Sequence, residues 1–280
     1  MIIPNCREFF QHCKNELLSL YEEKEAEAII FWLIDEKLSI SKVQIALRES
    51  VEIRDSLHQD FMTCLSRLKQ GEPIQYVLGY GYFMGERILV NSSVLIPRPE
   101  TESIVKLLEK VPKNSRVLDI GTGSGCIAIL AKKIRSDLNI TGWELSKEAL
   151  AVAKANARHL DVEVNFQELD VFRPWPQDQW DIIVSNPPYI PESDKSLMRE
   201  NVLNHEPAIA LFVPDGDPLR FYQRILENGR EALQTSGSIF FEVHELLAAK
   251  VVGEAHAAGY EKIEVVSDMF GKERFVIVSL

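Results

Sequence analysis

From residue 116 to the end of the chain, short apolar runs alternate with helical patterns, and this alternation limits the possible folds more than any other feature. The runs RVLDI (116–120), 139–144, 163–168, WDIIVS (180–185), 237–243, 261–266 and RFVIVS (274–279) read as strands, with helices near 125–134, 146–159, 217–234 and 245–258. Strands separated by helices form a mostly parallel sheet covered on both faces, an α/β architecture. In such sheets the loops at the carboxyl ends of the strands hold the ligand. Chemistry is therefore expected after 120, 144, 168 and 185.

The first 70 residues follow a different rule. Phe9, Phe10, Cys13, Leu17 and Leu18 recur at helical spacing, as do Ile29, Ile30, Leu33 and Ile34, and then Ile53, Leu57, Phe61, Leu65 and Leu68. Ser41 is placed to cap a short helix, and Gly71 followed by Pro73 stops the last one. Between the two regions, residues 74 to 95 mix aromatic and β-branched residues with Gly79, Gly81 and Gly85, the pattern of a hairpin. The expected organisation is a helical bundle over 1–73, a β-hairpin linker over 74–95 and the α/β domain over 96–280.

After the first strand comes Gly121-Thr122-Gly123-Ser124-Gly125, then an apolar helix. Small residues let a ligand approach the backbone closely, and the helix start offers free amides. Alone this is weak, because a plain strand-to-helix turn looks the same. The next strand, however, ends on Glu144, about 20 residues beyond the loop, where an acid typically accepts from ribose hydroxyls. The GxGxG spacing points to a mononucleoside such as S-adenosylmethionine more than to a dinucleotide. Asp170 and Val171, after the third strand, fall in the loop that could hold its adenine.

The fourth strand ends on Asn186-Pro187-Pro188-Tyr189. Two prolines fix φ and donate no hydrogen bonds, so nearby carbonyls stay free to accept. The Asn186 side-chain oxygen and the Pro187 carbonyl can then hold both hydrogens of a planar NH2 group, with Tyr189 over its flat face and the nitrogen directed at a methyl donor. Positioning supplies much of the catalysis on so poor a nucleophile. In isolation the tetrapeptide reads first as a turn that merely ends a strand. Its place beside the glycine loop and Glu144 favours function.

A net charge of −11, spread over both parts of the chain, suits phosphate backbones poorly. Six scattered histidines without HExxH spacing and four cysteines (Cys6, Cys13, Cys64, Cys126) without CxxC pairing suggest no metal site and no disulfide framework. No apolar run approaches the ~20 residues of a membrane span, and no signal-peptide core is evident, so a cytoplasmic location is expected.

In order and spacing, GEPIQYVLGYGYF, VLIPRPETE, VLDIGTGSG, VSNPPYI, HEPAIAL and DMFGKERFV resemble the peptide chain release factor N5-glutamine methyltransferases. NPPY alone is shared with DNA adenine methyltransferases; IPRPETE and HEPAIAL are more particular. The resemblance implies a seven-stranded, Rossmann-like class I methyltransferase domain, its last strand antiparallel, behind a helical domain that docks the substrate. It implies methyl transfer from S-adenosylmethionine, leaving S-adenosyl-L-homocysteine, to the glutamine of the Gly-Gly-Gln motif in class I release factors. Gly121, Thr122, Gly123, Ser124, Gly125, Glu144, Asp170, Val171 and Asn186 would bind the donor, and Asn186 to Tyr189 the glutamine. Pro97 to Thr101 would wall the site, with Arg98 and Glu100 as a possible ion pair. Relatives carry Asp at the place of Glu144, some have an aromatic at that of Val171, and a Glu-x-Gly and Gln-Gly pattern is replaced here by His244, Leu247 and Ala248. The rival readings are a nucleic-acid amino methyltransferase and a binding module that keeps the donor site without catalysis.

Overall fold

The computed structural model describes residues 1–268 and 270–280; Met269, within the DMFGKERFV segment, lies outside the described residues. The chain divides into two compact units: Met1–Gly79 together with Arg199–His205, and Tyr80–Met198 together with Glu206–Leu280.

The first unit is built on helices Cys6–Asn15, Glu23–Leu38, Lys42–Ala46, Asp55–Leu68 and Ile74–Leu78. Asn5 caps the first by accepting from the amides of Arg7 and Glu8. Ser41 and Gln44 form a reciprocal capping box on the third. Phe10, Cys13, Leu17, Ile30, Leu33, Phe61, Leu65 and Leu68 share one core, whereas Leu18 is exposed. A two-residue antiparallel pair, Ile2–Ile3 with Val51–Glu52, adds a small β element to the helical unit. Ile74–Leu78 is a helical turn where the sequence suggested extended chain; Pro73 opens it and Gly79, at φ +83°, closes it. The hairpin itself is Tyr80–Phe83 paired with Glu86–Leu89.

The second unit carries a seven-stranded sheet: β1 (Arg116–Ile120), β2 (Asn139–Glu144), β3 (Asn165–Glu168), β4 (Trp180–Ser185), β5 (Leu233–Glu242), β6 (Lys262–Ser267) and β7 (Glu273–Ser279). Their spatial order is β6-β7-β5-β4-β1-β2-β3, and β7 alone runs antiparallel to its neighbours. The central strands are apolar nearly throughout because both faces are covered. β5 begins at Leu233, four residues before the expected start, through an irregular register between Leu233 and Ser238 that lets it pair twice with β4.

The register sets the site. Ile120 lies opposite both Trp143 and Ser185, and Ser185 lies opposite Phe241. Gly121, Glu144, Asn186 and Glu242 therefore follow at one carboxyl edge. The Ser185 hydroxyl donates to the Ile120 carbonyl at 2.8 Å and ties the β4 and β1 tips together. Asn156 is fully buried: it accepts from Leu89 N and donates to the carbonyls of Leu89 and Ser124, fastening the hairpin to the glycine loop.

Candidate active site

The glycine loop is held by the strand beside it. The amides of Gly121 and Thr122 both donate to the Trp143 carbonyl, and the Gly123 amide donates to Glu144 Oε2 at 3.0 Å. Glu144 Oε1 accepts from the Ser146 amide at 2.9 Å. Two of the carboxylate's roughly four acceptor positions are thus filled by backbone, and the others remain for a ligand. A Cβ at Gly121 would meet no atom within 4 Å, and one at Gly123 only a backbone oxygen at 3.9 Å. Positive φ values of +73° and +53°, not crowding, call for glycine at these two positions.

Gly125 is a different case. At φ +80°, its added Cβ would stand 2.9 Å from Ile129 Cδ1, 3.1 Å from Phe166 and 3.2 Å from Ala153. Thr122 and Ser124 are buried, and the Thr122 hydroxyl donates to Asp119 Oδ2 at 2.6 Å. Burial pushes the Asp119 carboxyl up to about 7, against the pull of that bond.

One cleft of about 950 Å³ of empty space, partly open to solvent, runs from this loop to the tip of β4. Gly121, Gly123, Glu144, Asp170, Val171, Asn186, Pro187 and Pro188 border it, together with Trp143, Phe172 and Phe221. The glycine turn and the Asn-Pro-Pro segment share this space. Thr122, Ser124, Gly125 and Tyr189 do not border it: the first three shape the loop from beneath, and Tyr189 turns towards His244, with ring centres 6.0 Å apart. Burial and the nearby Glu242 charge push the Tyr189 phenol up to about 12.

The third-strand loop is firmly built. Asp170 Oδ1 accepts from the Phe172 amide, and the Val171 carbonyl accepts from Trp175 Nε1 and Arg224 Nε. Phe172 and Phe221 stand 5.0 Å apart, with the Arg220 guanidinium 4.4 Å from the Phe172 ring centre. The small side chain at 171 is thus flanked by aromatic surface from its neighbours, a signal the sequence carried in Phe172 but hid in Phe221, on another element.

Asn186 Nδ2 donates to Thr101 Oγ1 at 3.4 Å, a long bond that engages the nitrogen end of the carboxamide. Thr101 belongs to the IPRPETE segment, but the part of that region bordering the cleft is Ser93 to Leu95, not Pro97 to Thr101. Nor do Arg98 and Glu100 form the possible ion pair. Arg98 Nη2 binds Glu206 Oε1 at 2.6 Å, and the other Glu206 oxygen accepts from the Ile96 amide at 3.2 Å. Glu206, in HEPAIAL, has a side chain only 1% exposed, so IPRPETE and HEPAIAL are two halves of one brace 108 residues apart in sequence. Among the described residues, no group of three or more His, Cys, Asp or Glu could hold a metal ion, and no helix is long and apolar enough to cross a membrane.

Known proteins match at several levels. The methyltransferase small domain family matches residues 100–211, and the PrmC N-terminal domain family matches residues 8–79. The release factor glutamine methyltransferase of Bacteroides thetaiotaomicron is 40% identical over 268 residues, 95% of this chain and 96% of its own. That of Flavobacterium psychrophilum is 35% identical over 286 residues, 100% of this chain and 99% of its own. Among solved structures, a methyltransferase from Pyrococcus furiosus has a TM-score of 0.54 at 18% identity, covering 76% of this chain and 96% of that one, a likeness of fold.

Proposed function

The chain belongs to the release factor glutamine methyltransferases, and on that premise we propose that its cleft binds S-adenosylmethionine and methylates the side-chain amide of the glutamine in the Gly-Gly-Gln motif of class I release factors. The observation that carries this reading is the shared cleft, in which the glycine turn and the Asn186-Pro187-Pro188 segment face the same space.

The residues suit such a donor. Glu144 has acceptor capacity left for two ribose hydroxyls, the open backbone at Gly121 and Gly123 admits close approach, and Trp143, Val171, Phe172 and Phe221 offer apolar and aromatic surface for a base. When bound, S-adenosylmethionine supplies an electrophilic methyl group on sulfur.

Asn186 and Pro187 do the rest. With Nδ2 of Asn186 engaged by Thr101, its carbonyl oxygen is the end left to accept from the substrate. That oxygen and the Pro187 carbonyl take the two N–H groups of the glutamine amide and hold its nitrogen in line with the methyl group. Both acceptors strengthen as nitrogen turns positive, so they favour the transition state over the ground state. As the N–C bond forms, the sulfur–methyl bond would break with its electron pair returning to sulfur, S-adenosylhomocysteine would leave, and one amide proton would pass to solvent. The helical unit, matched by its own family, is assigned to docking the protein substrate.

Purified protein with methyl-labelled donor is expected to label a class I release factor and to leave DNA and RNA unlabelled; label in nucleic acid with none in the release factor would overturn the substrate assignment. Glu144→Ala is expected to weaken donor binding by roughly 10- to 100-fold, the worth of one hydrogen bond to a charged group, read by calorimetry. Unchanged affinity would remove Glu144 from the ribose.

A further inference from the structure

A second carboxylate stands behind Asn186. Glu242 ends β5, one residue past the Phe241–Ser185 pair, so it lies level with Asn186 on the adjacent strand. The residue is 3% exposed, and its Oε2 has no hydrogen-bond partner. Its backbone is fixed, since the buried Tyr222 hydroxyl donates to the Glu242 carbonyl at 3.0 Å. The Thr101 and Asn186 side chains stand beside its carboxyl, and both favour its charged form. The charged and titratable groups facing it are Arg274 on β7, Glu100 in the turn before Thr101, Tyr189 beyond β4, Cys126 at the start of the helix after the glycine loop, and Tyr222. Arg274 is occupied elsewhere, by Asp268 Oδ2 at 3.4 Å and the Val243 carbonyl at 3.4 Å. A buried carboxyl without an ion pair is costly, and a fold that merely needed to fill this space would do better with an apolar residue.

The hydrogen-bond inventory gives the cost a use. A carboxylate only accepts, and a carboxamide nitrogen only donates. Asn186 Nδ2 already donates to Thr101 Oγ1, so the threonine hydroxyl proton and the second N–H of Asn186 are both left for the Glu242 carboxylate beside them to accept. With an acceptor behind it, the Asn186 amide has one favourable orientation, nitrogen inward and oxygen to the cleft. Turned over, it would present N–H groups to the N–H groups of its substrate.

We propose that Glu242 is a positioning residue for the methyl acceptor: through Thr101 and Asn186 it fixes which end of the Asn186 carboxamide faces the cleft. This rests on the methyltransferase reading above. Glu242 does not itself touch the substrate. Burial raises its carboxyl to about 7, so protonation on the acid side of neutrality withdraws one acceptor from the pair.

The test compares the wild type, Glu242→Gln and Glu242→Ala on full-length protein with a release-factor substrate. Expected is a fall in kcat of roughly 10- to 100-fold for alanine and a smaller fall for glutamine, which keeps one acceptor oxygen, with donor affinity unchanged in both. The wild-type kcat should also fall as pH drops through about 7, and this acid limb should vanish in Glu242→Gln. For stability, the folded carboxyl holds its proton more tightly than the unfolded chain, at about 7 against 4.5, so its contribution is present at low pH and lost as pH rises through about 7. Glu242→Gln should accordingly melt no lower than the wild type above neutrality. Variants that keep full kcat and the acid limb would overturn the proposal, as would a Glu242→Gln that loses donor binding and thermal stability together with kcat. A wild type that methylates no release factor would instead sink the parent reading.

Discussion

Asn186→Ala is expected to lower kcat for release-factor methylation by roughly 10²- to 10³-fold, the cost of removing one preorganised polar group that acts on charge developing in the transition state. The glutamine amide would keep the Pro187 carbonyl but lose the oxygen that fixes its second N–H, so its nitrogen would be free to swing off line. Donor affinity should change little: Asn186 borders the cleft, but the backbone and carboxylate groups assigned to the donor belong to the β1 and β2 tips. Rapid-quench turnover beside a donor titration separates the two quantities. Equal losses in kcat and donor affinity would place Asn186 in the donor site and leave the glutamine without a holder.

Gly125→Ala should have the largest effect on stability. The residue sits at φ +80°, where an added Cβ costs roughly 1–2 kcal/mol. It would also press on Ile129, Phe166 and Ala153 at 2.9 to 3.2 Å, overpacking worth roughly 1–3 kcal/mol more. At the roughly 2–4 °C per kcal/mol of a unit this size, a drop in Tm of about 4 to 20 °C is expected by calorimetry. Gly121→Ala, at φ +73° with open space around its Cβ, bears only the first cost and should fall less. Equal losses at 121 and 125 would show that packing under the loop is slack.

The sheet was legible because its central strands are apolar on both faces; β1, β2 and β4 begin and end where the sequence placed them. Errors arose where a local signal was outweighed. IQYVL has the residues of a strand, yet the proline before it and the left-handed glycine after it make a helical turn. The early start of β5 depends on its pairing with Trp180 across the sheet, and no window of sequence contains both residues. The cleft-bordering glycines, Glu144, Asn186 and the prolines were legible because each follows an apolar strand. Glu206 and Glu242 were not. An acid closing the buried run SIFFE is a visible oddity, but only the strand register puts it behind Asn186.

The helical unit is not one continuous stretch of sequence. Arg199–His205 belongs with Met1–Gly79, and within that unit Arg199 Nη1 reaches both carboxylate oxygens of Glu25 at 3.0 Å. The polypeptide therefore leaves the sheet-bearing unit after Met198 and rejoins it at Glu206, the acid that braces Arg98. Exchanging this unit between relatives to alter substrate preference would demand two grafts rather than one. A swap ending at residue 79 would leave a foreign seam along its missing sixth helical segment, Glu200–His205, and Glu25 would greet a neighbour it never evolved beside.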